Sequence, residues 1–198
     1  MRIIKIFSLL GLLAVGPTIA SAQCDSLPPR GTIYHCFITS GGKVLIVDGA
    51  TEPAESVAEA TFAVTGYTSN PCGVLLSTLE FESKSFTVSL GELTTTLQPG
   101  TPSTATITQT DPGSPSLFPA ELEISLNLYG TATALPGKQF KTVSPLILRS
   151  TGEINELPLS SVQVKQLPGS TAFVDNGVGT GVVFGLQDVN VTLNENGQ

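Results

Sequence analysis

The sequence lacks most of the side chains on which enzymes build their active sites. It has one histidine, His35, and no tryptophan among 198 residues. A single histidine excludes a zinc site with several histidine ligands and the HExxH helix of metalloproteases. A Ser-His-acid triad would have to use His35, and the G-x-S-x-G motif is missing. P-loop, dinucleotide-binding and CxxC motifs are missing too, so the sequence predicts no catalytic residue and no organic cofactor.

Basic charge and aromatic side chains are also scarce. Nine Lys and Arg against 16 Asp and Glu give a formal net charge of −7. Such an acidic chain offers no electrostatic surface for nucleic acid. Three tyrosines and no tryptophan provide few stacking platforms for a sugar. After residue 22, no apolar run approaches the roughly 20 residues of a membrane-spanning helix, so we expect no membrane span in the mature chain.

The first 22 residues have the pattern of a secretory signal peptide. Arg2 and Lys5 form a positive start, and an uncharged apolar run follows over 6–15. Ala20-Ser21-Ala22 then supplies the small-x-small pattern that a signal peptidase cleaves. This order predicts export of the chain, to the extracellular space or the periplasm.

The cleavage site predicts a mature chain that begins at Gln23 and forms one domain over residues 23–198. Gln23 separates Ala22 from Cys24. Lipoprotein processing requires a small residue directly before the cysteine, so a lipid on Cys24 is the weaker alternative.

In an exported protein with three cysteines, two can form a disulfide and one remains a free thiol, and three different disulfides are possible. Cys36 lies in an apolar strand-like run, which suits a buried thiol. Cys24 and Cys72 lie in loop-like surroundings, and this favours a Cys24–Cys72 disulfide, with Cys36 as the alternative partner. His35 and Cys36 are adjacent and would point to opposite faces of a strand, so they cannot act as a catalytic pair.

Hydrophobic alternation with a period of two is the strongest structural signal. It predicts half-buried antiparallel strands whose apolar residues share one face: Leu122, Ile124, Leu126 and Leu128; Phe86, Val88 and Leu90; Val162 and Val164; Val189, Val191 and Leu193. Frequent turn motifs such as "TSGGK", "LQPG" and "VDNG" separate these runs. Together they predict an all-β fold, a single antiparallel β-sandwich or jelly-roll-like domain.

Two segments are less clear. Around residues 52–60 we expect at most one short helix, with Thr51 as its N-cap and Ala54, Val57 and Ala58 on one face. Residues 94–119 are rich in Thr, Pro and Ser and resemble a linker. The alternation in "TATITQT" within them favours a strand of the same domain.

Calcium is the most plausible ligand that the sequence suggests. Asp175 and Asn176 lie in a glycine-rich stretch, and Asp188 and Asn190 follow. Calcium binds six to eight oxygens presented by flexible loops. The spacing is not that of an EF-hand, and Asp-Asn-Gly is more typical of a hairpin turn. Asn190 also begins an N-x-T sequon, which matters only in a host that glycosylates exported chains.

From these features we expect a non-catalytic exported protein that acts through surface contacts, in a cell-surface, envelope or matrix role. One alternative is a calcium-assisted binding module for a glycan or another extracellular polymer. Another is a small hydrolase with a carboxylate pair, which predicts a cleft containing a carboxyl of raised pKa. The expected partner is an unidentified extracellular protein or glycan, and open strand edges would permit self-association.

Overall fold

The computed structural model describes residues 24–25, 27–46, 50–169, 171–177 and 182–195. The predicted signal peptide, residues 1–22, lies outside these residues, so export stays a prediction. The described residues form twelve antiparallel strands and no helix. The strands are β1 (Ile33–Ile46), β2 (Thr51–Ser69), β3 (Cys72–Thr87), β4 (Gly91–Leu97), β5 (Thr104–Gln109), β6 (Ala120–Leu126), β7 (Leu128–Ala132), β8 (Phe140–Thr142), β9 (Leu146–Ser150), β10 (Val162–Gln166), β11 (Thr171–Asp175) and β12 (Val182–Glu195). The predicted all-β class is confirmed.

The sheet closes on itself because β1 pairs with both β2 and β12. The short strands combine in pairs, and each pair acts as one interrupted long strand: β4 with β5, β6 with β7, β8 with β9, and β10 with β11. For example, β4 and β5 pair with successive parts of β3. The result is an up-and-down barrel of eight long strands, whose facing walls pack together as the two sheets of a sandwich do. Each described strand is paired on two sides, so an unpaired edge for self-association is not found among them.

Buried and exposed side chains alternate along the strands as the sequence predicts. In β6 and β7, Leu122, Ile124, Leu126 and Leu128 are all buried, while Glu121 is exposed. In β12, Val191 and Leu193 are buried and Val189 packs against the core. Inward-facing Val, Ile and Leu side chains fill the barrel, and their removal from water is the main force that stabilises it.

The expected short helix at 52–60 is a strand, so this interpretation is corrected. These residues belong to β2 and pair with β1 on one side and, from Ser56 onward, with β3 on the other. Ala58 is buried, whereas Val57 is 53 % exposed. Two neighbouring strands satisfy the backbone groups here, and this tertiary pairing overrides the weak helical signal of alanine and glutamate.

The expected shared face of Phe86, Val88 and Leu90 is also wrong. Strand β3 ends at Thr87, and residues 88–90 form the turn to β4. The Thr87 hydroxyl accepts a hydrogen bond from the Leu90 backbone N–H at 3.1 Å, and this bond stabilises the turn. Phe86 and Val88 are therefore exposed and Leu90 is buried.

The described N-terminal residues lie across the barrel as a strap, which we define as residues 24–32 without Ser26. The Asp25 N–H donates to the Pro115 carbonyl at 2.8 Å, and the Tyr67 hydroxyl donates to the Pro28 carbonyl at 2.6 Å. Leu27 packs against the core. The segment 94–119, which resembled a linker, contributes β4 and β5 to the same barrel.

Candidate functional site

A cavity lies inside the barrel between its two facing walls. It has a volume of about 70 Å³, and the free space among its lining side chains, counting the part open to solvent, is about 770 Å³. The 70 Å³ is the volume that the centre of a water molecule can reach, and one water molecule needs about 10–15 Å³ of such volume. Because this volume is small compared with the free space among the lining side chains, the cavity is narrow. It therefore suits a slender molecule rather than a bulky one.

The two walls of the cavity differ in chemistry. One wall is built from the inward faces of β1 to β4 and presents small side chains, among them Gly42, Ala54 and Ala58, in its central part. Large apolar side chains of the same strands flank them: Ile38, Phe62, Phe81 and Leu93. The other wall is apolar and carries Leu126, Leu128, Leu146, Leu148, Leu186, Val189 and Val191. Small residues opposite branched ones leave space that the Leu and Val side chains do not reach. The cavity is therefore a direct result of residue size on β1 to β4.

Five hydroxyl groups on the small-residue wall form what we call the hydroxyl patch: Ser40, Ser56, Ser83, Ser85 and Thr95. Ser56 is the register partner of both Ser40 and Ser85, and Ser83 is the register partner of Thr95. Side chains of register partners share a face and have Cβ atoms about 4.5–5.5 Å apart. The patch therefore extends across four neighbouring strands of an otherwise apolar cavity.

The hydroxyls of the patch differ in their hydrogen bonds. Ser40 and Ser56 bond to each other through their Oγ atoms. Ser83, Ser85 and Thr95 have no side-chain hydrogen-bond partner among the described residues. Thr95 is only 6 % exposed. The oxygens of these three hydroxyls are not among the fully buried unpartnered atoms, so they face open space. A ligand that covered them without offering a hydrogen bond would bind less tightly than one that offers it.

A β-bulge shapes the cavity where β1 meets β12. Gly41 pairs with Asn190 and Lys43 with Gln187, so Gly42 faces two residues of β12, Asp188 and Val189. A bulge moves the side chains that follow it to the other face. Leu186 before the bulge and Val189 after it consequently both line the cavity. Asp188 takes the left-handed conformation that this geometry requires, with φ of 53°.

Gln166 bonds to backbone groups of β12 on either side of the bulge, where the pairing of β12 passes from β10 to β11. Its Oε1 accepts from the Val189 N–H at 3.2 Å, and its Nε2 donates to the Leu186 carbonyl at 3.1 Å. Gln166 is buried, and this side chain holds both cavity-lining residues in place. It is a positioning residue for the cavity wall.

An ion pair lies at the solvent side of the same bulge. Lys43 Nζ is 3.2 Å from Asp188 Oδ2, and both side chains are more than half exposed. Lys43 and Gly41 line the cavity and are exposed themselves, so solvent reaches the cavity lining at this point. Among the described lining residues, Lys43 carries the only ionisable side chain. Exposed ion pairs contribute little to stability, so this pair can separate at small cost.

The outer surface also has depressions, and one of about 600 Å³ is lined by Val57, Lys84, Phe86 and their neighbours. It is larger than the interior cavity but lies open on the barrel wall. Enclosure matters more than volume for a small ligand, because binding sites bury most of the ligand surface. The interior cavity is therefore the stronger candidate site.

A second interior group with unusual chemistry lies outside the cavity lining. Glu195 is the register partner of Cys36, and one of its carboxylate oxygens, Oε2, is buried without a hydrogen-bond partner among the described residues. Burial raises the pKa of Glu195, while a backbone hydrogen bond from Leu159 and the nearby His35 oppose this shift. Burial and the charge of Glu195 raise the pKa of Cys36 to about 12, so its thiol stays protonated and unreactive.

The neighbours of Glu195 argue against the carboxylate pair of the hydrolase alternative. Among the described residues, the ionisable groups whose charges act on Glu195 or respond to it are His35, Cys36 and Tyr34, and none of them is a carboxyl. A pair of carboxylates is the minimum that this chemistry needs. Glu195 is therefore a half-buried acid at the end of β12, with no carboxyl partner among the described residues.

Glu195 makes the stability of the fold depend on pH in a defined direction. A carboxyl whose pKa is raised on folding favours the folded state below its ordinary value of 4.5, and this contribution is lost as the pH rises through the folded pKa. We expect Glu195→Gln to gain stability relative to the natural chain between about pH 4 and about pH 7. Urea unfolding at both pH values measures the gain, with exposed Glu121→Gln as control. A difference that is the same at both pH values would contradict the assignment.

The predicted calcium ligands are not brought together. Asp175 and Asn176 lie at the end of β11, and Asp188 and Asn190 lie near the bulge of β12, on the order of 20 Å away along the strands. Asp175 pairs with Lys138 at 3.5 Å and accepts from the Gly177 N–H, which is the bonding of a turn. No three His, Cys, Asp or Glu side chains cluster as a metal site in the part of the chain that the structure describes.

The cysteines pair as the sequence favoured. Cys24 and Cys72 form a disulfide with a Cα–Cα distance of 5.7 Å, and Cys36 is a buried free thiol. The disulfide attaches the strap to the turn between β2 and β3. Asn190 of the sequon is exposed, and its side-chain amide donates to the Asp188 carbonyl at 2.9 Å. The described residues contain no helix that is long and apolar enough to cross a membrane.

Comparison with known proteins supports the same fold. The barrel is similar to DynF from the dynemicin biosynthesis pathway of Micromonospora chersina, with a TM-score of 0.72 and 18 % sequence identity. The match covers 98 % of this chain and 92 % of DynF. At this identity the likeness shows a shared fold. No family model matches the chain, and no curated protein matches its sequence significantly.

The expectation of a non-catalytic protein that acts through surface contacts is overturned by this comparison. The matched fold belongs to a protein of a biosynthetic pathway, and the barrel has an interior cavity that a surface-contact protein does not need. Catalytic motifs are local features of the sequence, whereas this cavity depends on how distant strands face each other. The presence or absence of such motifs does not indicate whether a cavity lies between two walls of a barrel.

Proposed function

We propose that the chain encloses a slender, largely apolar small molecule inside its barrel and handles it as a component of small-molecule metabolism. The observation that carries this proposal is the interior cavity, with one apolar wall and one wall in which small residues leave space between larger apolar ones. The likeness to a protein of a biosynthetic pathway supports it. An apolar ligand gains about 25 cal/mol for each Å² that it removes from water.

The lining residues indicate how the chain would act on such a molecule. They supply hydroxyl groups and the ammonium of Lys43, and no acid–base pair is found among the described lining residues. Holding a reactive molecule in one orientation away from water is itself a source of rate enhancement. The proposed role is therefore to bind, orient and shield the molecule.

Filling the cavity tests the proposal. Ala58 faces the cavity from β2, and Leu in its place would occupy the space that a ligand needs. We expect Ala58→Leu to weaken binding of the rod-shaped neutral fluorophore diphenylhexatriene about tenfold, the equivalent of about 1.4 kcal/mol. Fluorescence titration measures the affinity, since the probe becomes bright when it leaves water.

Val57 provides a matched control, because it is the next residue of β2 and lies on the outer face. Val57→Leu should bind the probe as the natural chain does. Thermal melts of both variants separate loss of binding from loss of folding. A natural chain that does not bind the probe, or an Ala58→Leu variant that binds it equally well, would refute the proposal.

A further inference from the structure

The hydroxyl patch narrows the class of molecule that the cavity accepts. We infer that the ligand carries an oxygen function, a carbonyl or a hydroxyl, within its apolar skeleton and that the patch recognises this oxygen. The inference rests on the proposed function. It concerns which polar group the ligand carries, a property that the shape of the cavity alone does not select.

The first observation is that three of the five hydroxyls of the patch have no side-chain hydrogen-bond partner among the described residues. These are Ser83, Ser85 and Thr95, which line the cavity, and Thr95 is 6 % exposed. Most buried polar atoms in folded proteins are hydrogen-bonded. A fully apolar ligand would cover these hydroxyls without bonding to them, which costs affinity.

The second observation is the arrangement of the unpaired hydroxyls. Ser83 and Ser85 are two residues apart on β3 and therefore about 7 Å apart on the same face. Thr95 lies beside Ser83 on β4. All three are hydroxyl donors, and a hydroxyl can also accept. The patch can therefore donate to a carbonyl oxygen or exchange hydrogen bonds with an alcohol.

The third observation is where the patch lies along the cavity. Apolar lining residues are found on both sides of it on the same strands: Phe81 of β3 toward one end, and Ala54 of β2 toward the other. A ligand that fills the cavity would thus present apolar groups on either side of the patch. The matching oxygen belongs within the chain of the ligand and not at its end.

Three probes of equal length test this specificity by displacement of diphenylhexatriene: dibutyl ketone, the corresponding secondary alcohol dibutylcarbinol, and nonane. We expect the natural chain to bind the ketone and the alcohol about tenfold more tightly than nonane, since each hydrogen bond contributes about three- to tenfold in affinity. Ser83→Ala and Thr95→Val should each reduce this preference about three- to tenfold and leave nonane binding unchanged or tighter.

Matched controls lie on the outward faces of the same strands. Ser77 of β3 and Thr94 of β4 do not line the cavity. Ser77→Ala and Thr94→Val should keep the full preference for the ketone. Thermal melts of all four variants check that each variant is folded.

The outcomes separate this inference from the proposed function. If the ketone and nonane bind equally well to the natural chain, the patch recognises no oxygen and the inference is wrong, while the cavity still binds apolar molecules. If the preference exists but survives in Ser83→Ala and Thr95→Val, another group is responsible and the inference is again wrong. If neither diphenylhexatriene nor any of the three molecules binds, the proposed function itself fails.

Discussion

Replacing Phe184 by alanine is expected to lower the free energy of unfolding by about 3–5 kcal/mol, the usual cost of truncating a buried phenylalanine. Phe184 is fully buried and is the centre of an aromatic cluster. Its ring stacks on Phe173 with centroids 4.5 Å apart and meets the edge of Phe140 at 5.4 Å. Alanine would remove both ring contacts and leave a void that the surrounding strands cannot close.

The backbone around Phe184 explains why the void would persist. Gly130 of β7 faces the ring without a side chain, and a Cβ there would lie 3.5 Å from Phe184 Cζ, an ordinary van der Waals contact, so this position has no side chain that could fill the void. Strands on both sides hold β12 in register at this point. The cost should therefore be in the upper half of the range, because the site cannot collapse.

Urea unfolding of Phe184→Ala measures this effect, and Phe86→Ala is the matched control. Phe86 is the same residue type but is 69 % exposed at the end of β3. Its truncation should change the free energy of unfolding by less than about 0.5 kcal/mol. Equal losses in the two variants would show that the aromatic cluster does not stabilise the barrel.

The local structure of this protein could be predicted from its sequence where one face of a strand is buried. Leu122 to Leu128 alternate with polar residues, and the alternation directly reports which side chains face the core. The same rule failed at Val88, because a turn interrupts the pattern and the spacing of the residues alone does not reveal it. It also left residues 52–60 ambiguous, where alanine and glutamate favour a helix locally and two neighbouring strands impose the opposite result.

Closure of the barrel could not be predicted in this way. It depends on pairing between β1 and β12, which lie at opposite ends of the described chain, and on a bulge at Asp188 that keeps Leu186 and Val189 on one face. Alternation within a strand contains no information about its partner. An open sandwich and a closed barrel have the same pattern of inward-facing residues.

The candidate site was missed for a related reason. Ser40, Ser56, Ser83 and Ser85 look like ordinary polar residues of solvated strand faces. Their inward position becomes visible only when the register is known, and the cavity exists only because the facing wall does not fill the space. Small inward-facing residues on three consecutive strands are the signal that a sequence search could have used.

Removal of the Cys24–Cys72 disulfide is the second change with a large expected effect. The bond closes a loop with a sequence separation of 48 residues. In the chain-entropy model, a loop of this length restricts the unfolded chain enough to stabilise the fold by about 4 kcal/mol. It also anchors the strap, whose bonds to Pro115 and Tyr67 depend on the position of its first residues.

We expect the double variant Cys24→Ala, Cys72→Ala to lose about 4 kcal/mol in urea unfolding, and the natural chain to lose a similar amount when a reductant is added. Cys36→Ala serves as the control, because Cys36 is a free thiol. It should keep the full response to reductant, while the double variant should show none.

Neither disulfide cysteine lines the cavity, so probe binding at temperatures below unfolding should survive reduction. A natural chain indifferent to reductant would show that the loop constraint does not stabilise the barrel, whereas loss of probe binding in a still folded reduced chain would show that the strap shapes the cavity as well.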